Sequence, residues 1–217
     1  MKKCIIIGNG KSPTKKVINY FYQKGFNTVI CADGGANHAK RLGVIPGFII
    51  GDLDSASPSV LKYYSGKSKI IRINRQNDTD VEKCLKFAIR KNFTEAVLLG
   101  VTGDRLDHTI GNLGIIIKFY TKIHISMVAE NSILFPANTN LTIKSKINET
   151  ISLFAFNNRT RITSEGLKYK LTDARLPFGV RESTSNVSIS EQVSIKIRSG
   201  IIFIIRDFNF VRKNDLF

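Results

Sequence analysis

The stretch Gly47-Phe-Ile-Ile-Gly-Asp-Leu-Asp-Ser-Ala-Ser-Pro58 contains an apolar β-branched run, a loop carrying two acids and the start of a helix. Its first five residues show no polar alternation, so they read as a strand buried on both faces. Ser57-Pro58 then sets a capping residue before a first-turn proline, the signature of a helix N-terminus. A strand covered on both faces and followed directly by a helix is the unit from which parallel α/β sheets are built.

The same unit recurs on either side. Cys4–Gly8, Thr28–Ala32, Lys69–Ile73, Ala96–Gly100 and Lys122–Val128 are further short, β-branched runs, mostly unbroken and therefore expected to be buried. Between them Ser12-Pro13 offers another helix start, and Gly25, Gly43 and Gly66 stand where helices should stop. The clearest helix begins at Thr79, where Thr79-x-x-Glu82 forms a capping box ahead of the apolar stripe Val81, Cys84, Leu85, Ala88 and Ile89. Another runs from about Asp107 to Tyr120. From Asn131 onward the pattern changes to period-two alternation rich in Thr and Ser, in "TNLTIKSKI", "ETISLFAF", "TSNVSISE", "QVSIKIRSG" and "IIFIIRDF", with no helical window. The expectation is a parallel α/β domain over residues 1–130 and a smaller antiparallel β-domain over 131–217.

At 217 residues the chain can bury a substantial core. A hydrophobic share of 42% with 23% charged residues excludes a disordered chain, and no apolar run approaches the roughly 20 residues of a membrane helix. The apolar patch after Met1-Lys2-Lys3 ends at Gly8, too early for a signal peptide, so a cytoplasmic location is expected. Cys4, Cys31 and Cys84 lie far apart inside apolar segments and read as buried hydrophobes. His38, His108 and His124 lack zinc-ligand spacing.

The net charge is +16, with 33 basic and 17 acidic residues, which would attract nucleic acid or any polyanion. The excess is spread over both halves, which argues against a dedicated nucleic-acid arm. The acids are more informative. Of the ten among residues 1–130, seven (Asp33, Asp52, Asp54, Asp78, Asp80, Asp104 and Asp107) fall in four short segments after apolar runs. Loops at the carboxyl ends of parallel strands gather along one sheet edge, where ligands bind.

Asp52 and Asp54, one residue apart, can point the same way about 6–7 Å apart along an extended backbone. With Asp80 they make a three-carboxylate, hard-oxygen set of the kind that holds magnesium together with phosphates. Gly34, Gly35, Gly51, Gly100 and Gly103 would let backbone approach such a ligand, and Arg105 offers a fork for phosphate. Each acid also has a plain reading as a cap or turn residue. His108 reads as a helix first-turn residue rather than a base, and Gly8-x-Gly10 lacks the third glycine of a dinucleotide fingerprint.

With these pieces in order, "CADGGAN" (31–37), "GDLDS" (51–55), "QNDTD" (76–80), "GDRLDH" (103–108), "EGLKYKL" (165–171) and "STSN" (183–186), the chain resembles the thiamine pyrophosphokinase family. The resemblance implies a Rossmann-like three-layer α/β domain followed by a C-terminal antiparallel β-sandwich. It also implies transfer of the pyrophosphoryl group of ATP to thiamine, with Mg2+, by a homodimer that has no specific nucleic-acid partner. Position by position it implies Asp52, Asp54 and Asp80 as magnesium-binding acids, and Asp33, Gly34, Gly35 and Arg105 on the ATP side. Gln76, Asp107, Tyr169, Ser185 and Asn186 are implied near thiamine, Asp107 also at the reacting group. Asn77 stands where many members have Asp, Asp104 where a second glycine is common, and Tyr169 where tryptophan is usual; tyrosine still offers a π-face to a cationic ring.

Three other classes compete on residues alone. A magnesium-dependent phosphohydrolase or nucleotidyl transferase would use the same carboxylates on another phosphate ester. A nucleic-acid-binding module would use the +16 charge, but basic-aromatic interleaving is missing. A nicotinamide-dependent oxidoreductase lacks its glycine fingerprint.

Overall fold

In the computed structural model, which describes residues 1–74, 77–103 and 105–217, the Gly47–Pro58 stretch forms a strand, a loop and the first residue of a helix. The chain divides into two units, Met1–Ala129 and Glu130–Phe217.

The first unit alternates strands and helices throughout: β1 (Lys3–Ile7), α1 (Lys15–Gln23), β2 (Thr28–Ala32), α2 (Gly35–Arg41), β3 (Phe48–Gly51), α3 (Pro58–Tyr64), β4 (Lys69–Arg72), α4 (Asp80–Arg90), β5 (Glu95–Leu99), α5 (Leu106–Phe119) and β6 (His124–Ala129). All neighbouring strands are parallel, in the order β6-β5-β1-β2-β3-β4. The chain steps outward from β1 to β4, then returns to β5 on the other side of β1. A parallel sheet opens a crevice at its carboxyl edge at such a reversal. Strands β1, β2, β3 and β5 are buried along nearly their whole length, which is why their sequences lack alternation. Strand β4 departs from that expectation. It is the sheet's edge, with Lys69 and Arg72 exposed, as edge strands are commonly protected.

Helix α4 starts where its cap predicts, Thr79 Oγ1 accepting the Glu82 N–H at 3.2 Å. The Glu82 carboxylate goes instead to Lys86 and Lys118, at 2.8 and 2.6 Å. Helix α1 starts two residues later than Ser12-Pro13 suggests, because Thr14 supplies the cap through its bond from the Val17 N–H.

The second unit contains β7 (Ser132–Ala137), β8 (Leu141–Lys144), β9 (Thr150–Ala155), β10 (Arg161–Glu165), β11 (Ala174–Arg175), β12 (Ser183–Val187), β13 (Gln192–Arg198), β14 (Ile202–Asp207) and α6 (Phe208–Lys213). Two antiparallel sheets form, β12-β9-β14-β7 and β11-β10-β13-β8. They share one core, in which Ile151, Leu153, Ile202 and Ile204 of the first meet Ile162, Val193 and Ile195 of the second. That is a β-sandwich. Helix α6 is the departure here. The Asp207 carboxylate accepts the Phe210 N–H at 2.8 Å and caps a short helix whose Phe208 and Val211 are buried, where the sequence pattern predicts only strand.

Candidate active site

At the carboxyl edge of the first unit's sheet, a cavity of about 340 Å³ is lined by the loops after β1, β2 and β3 and by the first turns of α4 and α5. Asp33, Asp52 and Asp80 converge there, each with one carboxylate oxygen within 4.8 Å of the others. Three hard oxygen donors at that spacing fit a small divalent cation such as magnesium.

Asp33 enters this group through its backbone. Its φ of 42° is left-handed, and its carboxylate turns onto the Asp52–Ser55 loop, accepting the N–H groups of Ser55 at 3.1 Å and Ala56 at 3.0 Å. Asp33 thus fastens the loop that presents Asp52 and Asp54. Gly51 makes the approach possible: a Cβ there would lie 2.7 Å from the Asp33 Cβ and 3.2 Å from Asp80 Oδ1. Burial pushes the Asp33 carboxyl up to about 6. The Ser55 and Ala56 N–H groups oppose that rise, and Asp54 and Asp80 add to it. Asp54 is exposed, accepts the Ser55 hydroxyl at 2.9 Å and is held below the usual range, first by that bond and then by Asp33 and Asp52. The tightest three-oxygen group is therefore Asp33, Asp52 and Asp80, with Asp54 beside it on the same loop.

Sequence reading passes over Lys83, which lines the cavity, is 4% exposed and donates to Asp80 Oδ1 at 2.8 Å. Only its spacing of three from Asp80 on one helix signals the contact. Asp78 also lines the cavity, paired with Lys86 at 2.7 Å.

Asp107 lines the same cavity, in the first turn of α5, with His108 next to it. Its carboxylate takes both ends of the Arg105 fork, from Nε at 3.1 Å and Nη2 at 2.5 Å. That contact holds the Asp107 carboxyl below the usual range, so it is ionised near neutrality. Arg105, expected on the phosphate side, here engages Asp107, though both side chains are 62% exposed and can rearrange at small cost. Gly34 lines the cavity, whereas a Cβ at Gly35 would meet the Ile7 carbonyl at 2.0 Å. Gly35 thus serves the packing of α2 against the end of β1. Gln76 and Asp104 lie outside the described residues. The three cysteines are buried, and burial raises each thiol well above its ordinary range, leaving them inert.

In the second unit Tyr169, Ser185 and Asn186 come together. The Asn186 amide is buried and pairs with both backbone groups of Tyr169, while the Tyr169 ring is 62% exposed. Ser185, at φ 53°, ties its N–H to Ser152 Oγ and leaves its side chain exposed.

A parallel sheet whose carboxyl edge gathers hard-oxygen ligands, joined in one chain to a β-sandwich, defines a two-unit α/β class with a site suited to phosphate chemistry. Residues 19–128 match the family model for the thiamin pyrophosphokinase catalytic domain, and residues 138–202 match that for the thiamin pyrophosphokinase vitamin B1 binding domain. The chain belongs to the thiamin pyrophosphokinase family. Thiamine pyrophosphokinase 1 of Oryza sativa subsp. japonica is 28% identical, covering 81% of this chain and 77% of that one. Thiamin pyrophosphokinase 1 of Caenorhabditis elegans is 29% identical over 86% of this chain and 82% of its own. The fold matches the crystal structure of thiamine pyrophosphokinase from Bacillus subtilis with a TM-score of 0.83, at 22% identity, over 95% of this chain and 99% of that one.

Proposed function

We propose that this protein transfers the pyrophosphoryl group of ATP to the hydroxyl of thiamine, yielding thiamine diphosphate and AMP. The single observation that carries this reading is the convergence of Asp33, Asp52 and Asp80 in one cavity that Asp107 also lines, inside the segment that matches the catalytic-domain model.

Asp52, Asp80 and Asp33, with Asp54 on the same loop, are the residues that would hold Mg2+. The ion, when bound, neutralises the phosphate charge and polarises the reacting phosphorus. Asp107, ionised and lining the cavity, accepts the proton of the thiamine hydroxyl as its oxygen attacks the β-phosphorus; the bond from that phosphorus to the oxygen shared with the α-phosphorus breaks, and AMP leaves with that oxygen. Arg105 has two tasks in sequence, keeping Asp107 ionised before substrate arrives and presenting its fork to phosphate once Asp107 engages the hydroxyl. The match of residues 138–202 to the vitamin B1 binding domain supports a thiamine-binding second unit, with the exposed Tyr169 ring and the Ser185 hydroxyl as its contacts. We assign the working enzyme to a cytoplasmic homodimer using both units, with no nucleic-acid partner.

AMP production from ATP and magnesium, with and without thiamine, tests this reading beside an Asp52→Asn variant. Thiamine-dependent AMP that disappears in the variant is the expected result. AMP or ADP formed regardless of thiamine would replace the reading with that of a phosphohydrolase.

A further inference from the structure

Lys83 is unusual among the described lysines because its ammonium is taken out of water. Its side chain is 3% exposed, against 33% for Lys86 and 56% for Lys118, whose ammonium groups serve the Glu82 and Asp78 pairs. Burying an ammonium is unfavourable unless it is closely paired. The pairing here is to Asp80, one of three carboxylates whose oxygens crowd within 4.8 Å of one another. An ammonium carries three donors, and Lys83 also lines the cavity. A plain counter-ion for a surface acid would have no reason to be drawn into the cavity wall.

We infer that Lys83 is a second, built-in cation of this site, which balances Asp80 when no divalent ion is bound and donates to the phosphate chain of the nucleotide. The inference rests on the phosphoryl-transfer reading above and assigns a role to a residue that reading leaves unused. Two consequences separate it from simple charge balance. Lys83 competes with a divalent ion for Asp80, and it contributes to nucleotide binding even when metal is absent.

The test uses the full chain with Lys83→Met and Lys83→Arg, and two readouts that need no turnover: Mn2+ binding without nucleotide, and ATP binding in EDTA. A hydrogen bond to a charged group is strong enough for about a tenfold effect in each. Lys83→Met is expected to bind Mn2+ about tenfold more tightly and ATP in EDTA about tenfold more weakly, and Lys83→Arg to recover most of the ATP affinity. Unchanged ATP affinity, or loss of Mn2+ binding, overturns the inference. Asp80→Asn/Lys83→Met, in which neither charge of the pair remains, gives the same ATP readout against Asp80→Asn should Lys83→Met alone fail to fold; equal affinities there also overturn it. A wild-type protein that makes no thiamine-dependent AMP would sink the proposed function while leaving both binding readouts intact.

Discussion

Asn186 holds Tyr169 as a neighbouring strand would: its Nδ2 donates to the Tyr169 carbonyl at 2.8 Å and its Oδ1 accepts the Tyr169 N–H at 3.0 Å. The same amide reaches Ser183 Oγ and the Val187 N–H, so its hydrogen-bonding capacity is occupied inside the protein. Asn186 therefore acts through the placement of Tyr169.

Replacing Asn186 with Ala strips partners from part-buried backbone groups and is expected to cost about 1 kcal/mol of stability. The KM for thiamine should rise several-fold while the KM for ATP stays put. Combining Asn186→Ala with Tyr169→Ala should add little to the thiamine effect of Tyr169→Ala alone, because both act through one ring. Full additivity in that cycle would show Asn186 acting independently of Tyr169.

Gly51→Ala drives a methyl group to 2.7 Å from the Asp33 Cβ, an atom with no freedom to move aside. Overpacking of this kind costs about 1–3 kcal/mol. The expected signature is a disproportionate loss of function, with Mn2+ affinity falling at least about tenfold while circular dichroism still reports the native fold.

The pH dependence of stability follows from Asp33. Its carboxyl is held near 6 in the fold, above its ordinary value of 3.8, so the folded state binds this proton more tightly than the unfolded chain. Metal-free protein should lose stability as pH rises from about 4 to about 6. Asp54 and Asp107 are shifted the other way, so their contribution is lost only at more acid pH. Thermal melts in EDTA should show Tm falling across that window, and Asp33→Asn should flatten the decline. A divalent ion should raise Tm more at pH 7 than at pH 5.

In the second unit, Glu149 is fully buried and Arg206 nearly so. They share a two-point ion pair at 2.6 and 2.9 Å, and Arg206 also donates to the carbonyls of Lys144 and Leu216. Glu149→Ala leaves a buried guanidinium without its partner and should cost about 3–5 kcal/mol. Glu149→Leu/Arg206→Met should cost less than either single change, since no charge remains stranded. Denaturant melts of Glu149→Ala, Glu149→Leu, Arg206→Met and the double variant measure this directly.

The sequence by itself determined much of the layout. Unbroken β-branched runs marked the parallel strands, period-two alternation marked most strands of the sandwich, and Thr79 placed the start of α4 correctly, because burial on one or two faces and capping are local effects written residue by residue. The convergence of acids followed from one further rule, that strand ends in a parallel sheet share an edge. Only the tertiary structure decided the rest. Asp33 joins Asp52 and Asp80 because a left-handed turn and the absence of a side chain at Gly51 bring it across the edge. Strand β4 is exposed because it ends the sheet, and strand order is a global outcome. The burial of Lys83 beside Asp80 and the pairing of the Asn186 amide with Tyr169 depend on which surfaces close over those side chains. A lone lysine and a lone asparagine carry no local pattern that distinguishes them from solvated residues, so their roles emerge only when the fold removes them from water.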